Sequence, residues 1–227
     1  MPRPKIGVAL PTMEIGHIGP GGIAEAARRA EAAGLDSVGA ADVLLGDGTA
    51  ALEPMVALAT AAAVTHDIAL EFGVLSVPTR PLPMLAAQVQ TLQYLSGNRV
   101  GLGLGIGGFP ESPFWRALSA PTRGRGRQLD TALDLLPGLI AGAPTLLPGA
   151  ETPLVLSPAA AVPPLYVGGG TADVVLRRVA LRAAGWVPAA RAPPAGPTAP
   201  APRREQAPPP PSPPPPPPKK GVKGSRG

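Results

Sequence analysis

Cysteine is absent from the 227 residues, and histidine occurs only at His17 and His66. These gaps exclude disulfides, thiolate chemistry and Cys- or His-rich metal sites, so no metal is expected. Aromatic residues make up only 3% of the chain and charged residues 15%. No apolar run reaches the ~18 to 20 residues that cross a bilayer. The start, Met1-Pro2-Arg3-Pro4-Lys5, leads into a strand rather than into the apolar core of a signal peptide. A soluble cytoplasmic protein without a membrane partner is expected.

Proline (34) and glycine (29) are abundant, and the net charge is +5. As an average this suggests a basic, nucleic-acid-binding chain. The charge is not evenly spread. Residues 1–190 carry 13 Lys/Arg against 14 Asp/Glu, a net −1, whereas residues 191–227 carry 7 against 1, a net +6. The same 37-residue tail holds 15 of the prolines and no Ile, Leu, Phe, Trp or Tyr, so it has little to bury against the entropy of ordering. Two parts follow: a nearly neutral apolar domain over 1–190 and a disordered, low-complexity basic tail over 191–227. Nucleic acid is not the expected partner.

Within the domain, short apolar runs alternate with segments of helical spacing. Strands are expected at Ile6–Leu10, Ser37–Ala41, Ile68–Val77, Arg99–Ile106 and Leu165–Gly168, with a sixth beginning at Trp186-Val187. Helices are expected at Ile23–Ala33, Pro54–Val64, Met84–Leu95, Gln128–Ile140 (interrupted by Pro137) and Thr171–Ala183. Continuously apolar strands separated by helices imply a parallel sheet covered by helices. Either the sheet is open and doubly wound, or it is a barrel with about five to six units, since a closed eight-unit barrel takes ~250 residues.

Three motifs bear on chemistry. Gly103-Leu104-Gly105-Ile106-Gly107-Gly108 has the dinucleotide-binding spacing, with Asp130 where a ribose-binding acid could fall. A helix would have to open in that loop, and Phe109-Pro110-Glu111-Ser112-Pro113 does not start one there, so these glycines read instead as room for a ligand at a strand end. Gly168-Gly169-Gly170-Thr171 follows a strand and opens a helix, a context in which backbone N–H groups and a Thr171 cap can cradle a phosphate. Arg123, Arg125 and Arg127 form a basic triplet read as a solvated loop. Asp42 ends the second strand, where barrel enzymes place their chemistry.

Taken together, Ile6–Pro11, Ala24–Val38, Ala40-Ala41-Asp42, Phe72–Pro78, Leu95–Gly105, Arg125–Asp130 and Pro164–Gly170 with Gly185-Trp186 resemble the luciferase-like monooxygenase superfamily. These are oxidoreductases built on a (β/α)8 TIM barrel that use FMN or the deazaflavin coenzyme F420. The resemblance spans about residues 5–188 and implies hydride transfer or oxygen activation on a small organic substrate, with a homodimer as assembly. It also implies a non-prolyl cis peptide at Gly73-Val74. Asp42, Gly73, Val74, Leu75 and Ser76 would lie near the ring or ribityl chain, Gly105 and Gly107 beside it, and Gly169, Gly170 and Thr171 at the phosphate.

Two departures qualify it. Val43 stands where many deazaflavin-dependent relatives have a histidine, so no catalytic acid or base is assigned, and Ala184-Gly185-Trp186 replaces the common Asp-Gly-Trp. The family continues for two further units where this chain enters its Pro-rich tail, so an incomplete barrel is expected. The tail's Pro, Ala, Arg and Gly are residues of GC-rich codons, which implies a frameshift and a product that is inactive or poorly folded. The alternative function class is an interaction protein whose Pro213–Pro218 segment with Lys219-Lys220 offers a polyproline II ligand to an aromatic-lined groove.

Overall fold

A computed structural model describes residues 3–13 and 15–189. The expectations for 191–227, the polyproline segment among them, lie outside the described residues. Six strands form one sheet: β1 (Gly7–Ala9), β2 (Ser37–Ala40), β3 (Ala69–Ser76), β4 (Val100–Gly105), β5 (Leu165–Gly169) and β6 (Gly185–Pro188). All are parallel, and they neighbour one another in unbroken chain order from β1 to β6. A doubly wound sheet would reverse its order at a switch point. The sequential order is that of a TIM-type barrel, here a curled half-barrel wrapped in helices.

The helices are α1 (Ile15–Ile18), α2 (Gly22–Ala32), α3 (Pro54–Ala62), α4 (Leu82–Ser96), α5 (Pro113–Ala117), α6 (Arg125–Ile140) and α7 (Asp173–Arg182), with a short 3-10 turn at Val77–Thr79. Local chemistry sets most ends. Glu53 caps α3 by accepting from the Val56 N–H at 2.9 Å, with Pro54 in the first turn. Gly97 ends α4 in the left-handed conformation at φ 68°. Pro137 does not interrupt α6, which runs on to Ile140. Leu136, Leu139 and Ile140 are fully buried there, and burial at ~1.5 to 3 kcal/mol per side chain outweighs a proline penalty of about 3. No described helix is long and apolar enough to cross a membrane.

Differences from the sequence expectation near the strands' C-terminal ends bear on the site. α6 starts at Arg125, so two arginines of the triplet are helical rather than in a loop. α7 starts at Asp173 with Ala172 as its uncapped N-terminal residue, so Thr171 is not the cap. α5 went unanticipated; Ser112 caps it by accepting from the Trp115 N–H at 3.3 Å, after the Phe109-Pro110 stretch that does not open a helix.

Strand alternation separates two environments. Val38, Leu70, Phe72, Val100, Leu102, Leu104, Leu165 and Val167 are buried beneath the helices. The opposite, inner face carries Gly7, Ser37, Gly39, Glu71, Gly73 and Tyr166, which line an open lumen of about 580 Å³. On β4 this face is glycine throughout, Gly101, Gly103 and Gly105, because neighbouring groups already occupy the space. A Cβ on Gly101 would lie 3.2 Å from Glu71 Cγ and 3.3 Å from Tyr166 Cε2.

The loop between α3 and β3 is clamped from both sides. The Glu31 carboxylate accepts from the N–H groups of His66, Asp67 and Ile68 at 2.8 to 3.0 Å. Arg99 donates to the carbonyls of Ser96, Ile68, Ala62 and Thr65 and to the Thr65 hydroxyl, at 2.7 to 3.1 Å. Burial lowers the Arg99 pKa, with Glu31 and Asp67 opposing, yet a guanidinium stays charged.

α7 buries no residue fully, and ion pairs tie it to α6. Arg178 bonds both oxygens of Asp130 at 2.7 and 3.0 Å, Arg182 adds a contact at 2.8 Å, and Gly126 leaves room for the Arg178 guanidinium. The hydrogen bond from Arg178 is the main reason that the Asp130 carboxyl titrates below its usual range, against a desolvation that acts the other way. A depressed folded pKa stabilises above the unfolded value of about 3.9 and is lost as pH falls through the folded value. Amide protection in α7 should therefore fall first on acidification from about pH 6 to about pH 3, and Asp130→Asn should show the loss already at neutral pH. Equal protection of α7 and α4 across that range, by hydrogen exchange, would contradict this.

Candidate functional site

The site is built around a bulge in β3. Phe72 pairs with Leu102 and Leu75 with Leu104, so β3 spends one more residue than β4 over this interval. The Gly73-Val74 peptide inside the bulge is cis, as the resemblance implied. The extra residue turns Val74 inward, where its methyl groups sit over three glycines. A Cβ on Gly103, Gly105 or Gly168 would approach Val74 methyl carbons to 2.8 Å in each case. Backbone from β4 and β5 thus closes around a single valine at the strands' C-terminal ends.

A cavity of about 350 Å³ opens above this valine, within the range of small-ligand sites. Its wall includes Asp42, Gly73, Val74, Ser76, Gly105, Gly107 and Gly169, seven of the residues anticipated from sequence. Gly108 and Gly168 complete its glycine-rich side, and Ala41 and Gly73 are shared with the lumen. Three anticipated residues stand elsewhere. Leu75 is fully buried in the core, because alternation resumes after the bulge and sends it to the helix side. Gly170 and Thr171 are exposed in the turn after Gly169 and do not line the cavity.

Among the described residues Asp42 is the one titratable group in the cavity wall, and its carboxylate is already engaged. Oδ2 accepts from the Ser76 N–H at 2.9 Å, and Arg80 reaches both oxygens. Arg80 also donates to Glu53 at 2.9 Å. The side chains of Asp42 and Arg80 are 5% and 12% exposed, so this is a buried pair. Burial acts to lower the Arg80 pKa, but the hydrogen bonds and charges of Asp42 and Glu53 prevail and raise it. The carboxylate fixes the end of β3 and orients Ser76. Arg80 was not singled out from sequence, and the only signal was its place four residues after Ser76 at the opening of α4.

Both tryptophans flank the cavity. A Cβ on Gly107, whose φ is +74°, would fall 2.5 Å from the Trp115 ring, so glycine is required there on two counts. Arg125 stacks over the same ring at 5.9 Å and pins the β4–α5 loop by donating to the Ile106 and Gly107 carbonyls at 3.1 and 2.8 Å. Trp186 donates to the Gly169 carbonyl at 3.0 Å. The dinucleotide alternative is absent: no helix opens at Gly107-Gly108, and Asp130 is held by α7.

Comparison with known proteins agrees with this architecture. Uncharacterized protein Rv0940c of Mycobacterium tuberculosis is 36% identical over 146 residues, 62% of this chain and 49% of that protein. A Mycobacterium bovis protein, Mb0965c, also uncharacterized, matches to the same extent. The chain therefore spans about half the length of the curated relatives it matches. Among solved structures, monooxygenase RslO1 from Streptomyces bottropensis aligns with a TM-score of 0.66 at 22% identity over 78% of this chain and 57% of its own. The coenzyme F420-dependent tetrahydromethanopterin reductase of Methanopyrus kandleri gives 0.63 at 20% identity, over 80% and 55%. The oxygenating constituent of 3,6-diketocamphane monooxygenase from Pseudomonas putida, solved with FMN, gives 0.61 at 18% identity, over 74% and 51%. These three likenesses establish the fold. The luciferase-like monooxygenase family model matches residues 5–207, passing the compositional boundary at 190. With a match of that extent, the chain belongs to the luciferase-like monooxygenase family.

Proposed function

We propose that the cavity above Val74 holds the ring of FMN or of the deazaflavin F420, and that the protein is an oxidoreductase acting on a small organic substrate. The observation that carries this reading is the cup of Gly103, Gly105 and Gly168 around Val74. It leaves, at the strand ends, a surface made of glycine backbone and the one small side chain of Val74, against which a flat ring can lie. Gly105, Gly107 and Gly169 would border the ring, with Ser76 held in place by Asp42. Gly169 and the exposed Gly170-Thr171 turn after it would face the phosphate. FMN or F420 supplies hydride transfer when bound, and FMN also supplies oxygen activation. This chain's part is binding, orientation and exclusion of water, since no free acid or base lines the cavity among the described residues.

The two tryptophans of the chain provide the test. Titration with oxidised and reduced FMN and F420 should quench the emission of Trp115 and Trp186, with saturation at micromolar cofactor. Absence of quenching by both cofactors would remove the proposal. A response to only one would name the cofactor.

A further inference from the structure

The arginine triplet is not absorbed by the cofactor reading. Gly124, at φ +68°, opens α6, a helix of 16 residues, without a side-chain cap and with no acid in its first turn. Helix N-termini favour negative charge and disfavour cations. Here the opposite is built in: Arg125 and Arg127 lie in the first turn and Arg123 just before it. The Arg127 guanidinium folds back over Gly124, 3.3 Å from where a Cβ would stand. A local rule broken in this way calls for a compensating partner.

The surroundings indicate what that partner is. A cavity of about 500 Å³ beside the helix start is lined by Arg80, Arg123, Arg127, Gln128 and Thr131, with Val77, Pro78, Leu82 and Pro148 as an apolar wall. Among the described residues no acidic side chain lines it. Arg80 is spent on Asp42 and Glu53. Arg123 and Arg127 form no ion pair among the described residues. Two exposed guanidiniums outside any ion pair among the described residues, an amide and a hydroxyl share this cavity with an apolar wall at the positive end of a helix. This cavity shares no lining residue with the one above Val74.

We propose that this second cavity binds a small anion, a phosphate- or carboxylate-bearing molecule with a short apolar body, held by Arg123 and Arg127 at the start of α6. The site does not depend on the cofactor reading. Its test uses the full chain with pyrophosphate and malonate as separate probes and sodium chloride at matched ionic strength as control. The expected result is binding of one probe with a Kd below about 1 mM, and a rise in melting temperature that chloride does not reproduce. R123Q/R127Q should weaken that binding at least about tenfold. Without anion the variant should melt no lower than the parent, because the unfavourable charges are gone, and its response to FMN and F420 should equal the parent's. Preference for pyrophosphate or for malonate separates the phosphate from the carboxylate source. Three results would overturn the site: no binding of either probe, equal stabilisation by chloride, or binding retained within about twofold in R123Q/R127Q. Loss of the parent's cofactor response in the variant would place the anion in the cofactor cavity and overturn it too. A parent that binds pyrophosphate or malonate but neither cofactor would leave the anion site standing and remove only the cofactor reading.

Discussion

Gly103→Ala should destabilise the protein by about 3 kcal/mol or more, which for a domain of this size is a fall of roughly 6 to 12 °C in melting temperature. The added methyl would stand 2.0 Å from the Phe72 carbonyl oxygen and 2.8 Å from a Val74 methyl. A flexible side chain could swing away, but the Phe72 carbonyl belongs to β3, which is hydrogen-bonded to β4 through the pairing of Phe72 with Leu102. Relief requires the two strands to part at the centre of the sheet, just below the bulge, so the cofactor response should fall with the stability. Gly170→Ala is the matched control, because nothing lies within 4 Å of its Cβ position, and it should stay within about 1 kcal/mol of the parent. Urea midpoints of the three proteins decide the matter. A Gly103→Ala midpoint equal to the parent's would mean that β3 and β4 do not approach this closely.

Arg99→Ala should cost about 3 kcal/mol, nearly all of it from the opposite end of the barrel. Four carbonyls and the Thr65 hydroxyl lose a charged donor at once, and the loop that Glu31 holds from its other side is left with one clamp. Arg99→Lys keeps the charge but offers a point donor where a planar fork is needed, so it should recover no more than about half of the loss. Urea unfolding gives the magnitudes. Hydrogen exchange at His66, Asp67 and Ile68 locates the effect, because these amides should open before those of β4 in Arg99→Ala. A uniform loss of protection would mean that the clamp is no local device.

The strands and the helix-forming segments were legible because their signals are local. β4 is the clearest case: the alternation Val100-Gly101-Leu102-Gly103-Leu104-Gly105 divides into a buried apolar face and a glycine face. What composition could not show is why the second face is glycine, since the groups that fill its space come from other strands: Glu71 and Tyr166 at Gly101, and at Gly103 and Gly105 Val74, turned inward by the bulge. Leu75 stands on the core side for the same reason. One inserted residue inverts the inward set of β3, and a shift of one position is invisible in an apolar run. Thr171 was read as a cap because threonine before a helix commonly is one, whereas the helix starts two residues later. The Asp42–Arg80–Glu53 cluster was out of reach because its members are 27 and 38 residues apart and meet only through the tertiary fold.

The closure of three glycines around one side chain has a consequence for how such a cavity can change over evolution. Its floor consists of backbone that cannot be trimmed further, so residue 74 is the single adjustable piece there. Reducing Val74 would deepen the floor without disturbing any strand, whereas enlarging it would drive atoms into β4 and β5. Variation in the shape of a bound ligand is thereby channelled away from the sheet, toward position 74 and the loops above it. The cavity thus divides into a fixed glycine wall and a part, position 74 and the loops above it, whose shape can change.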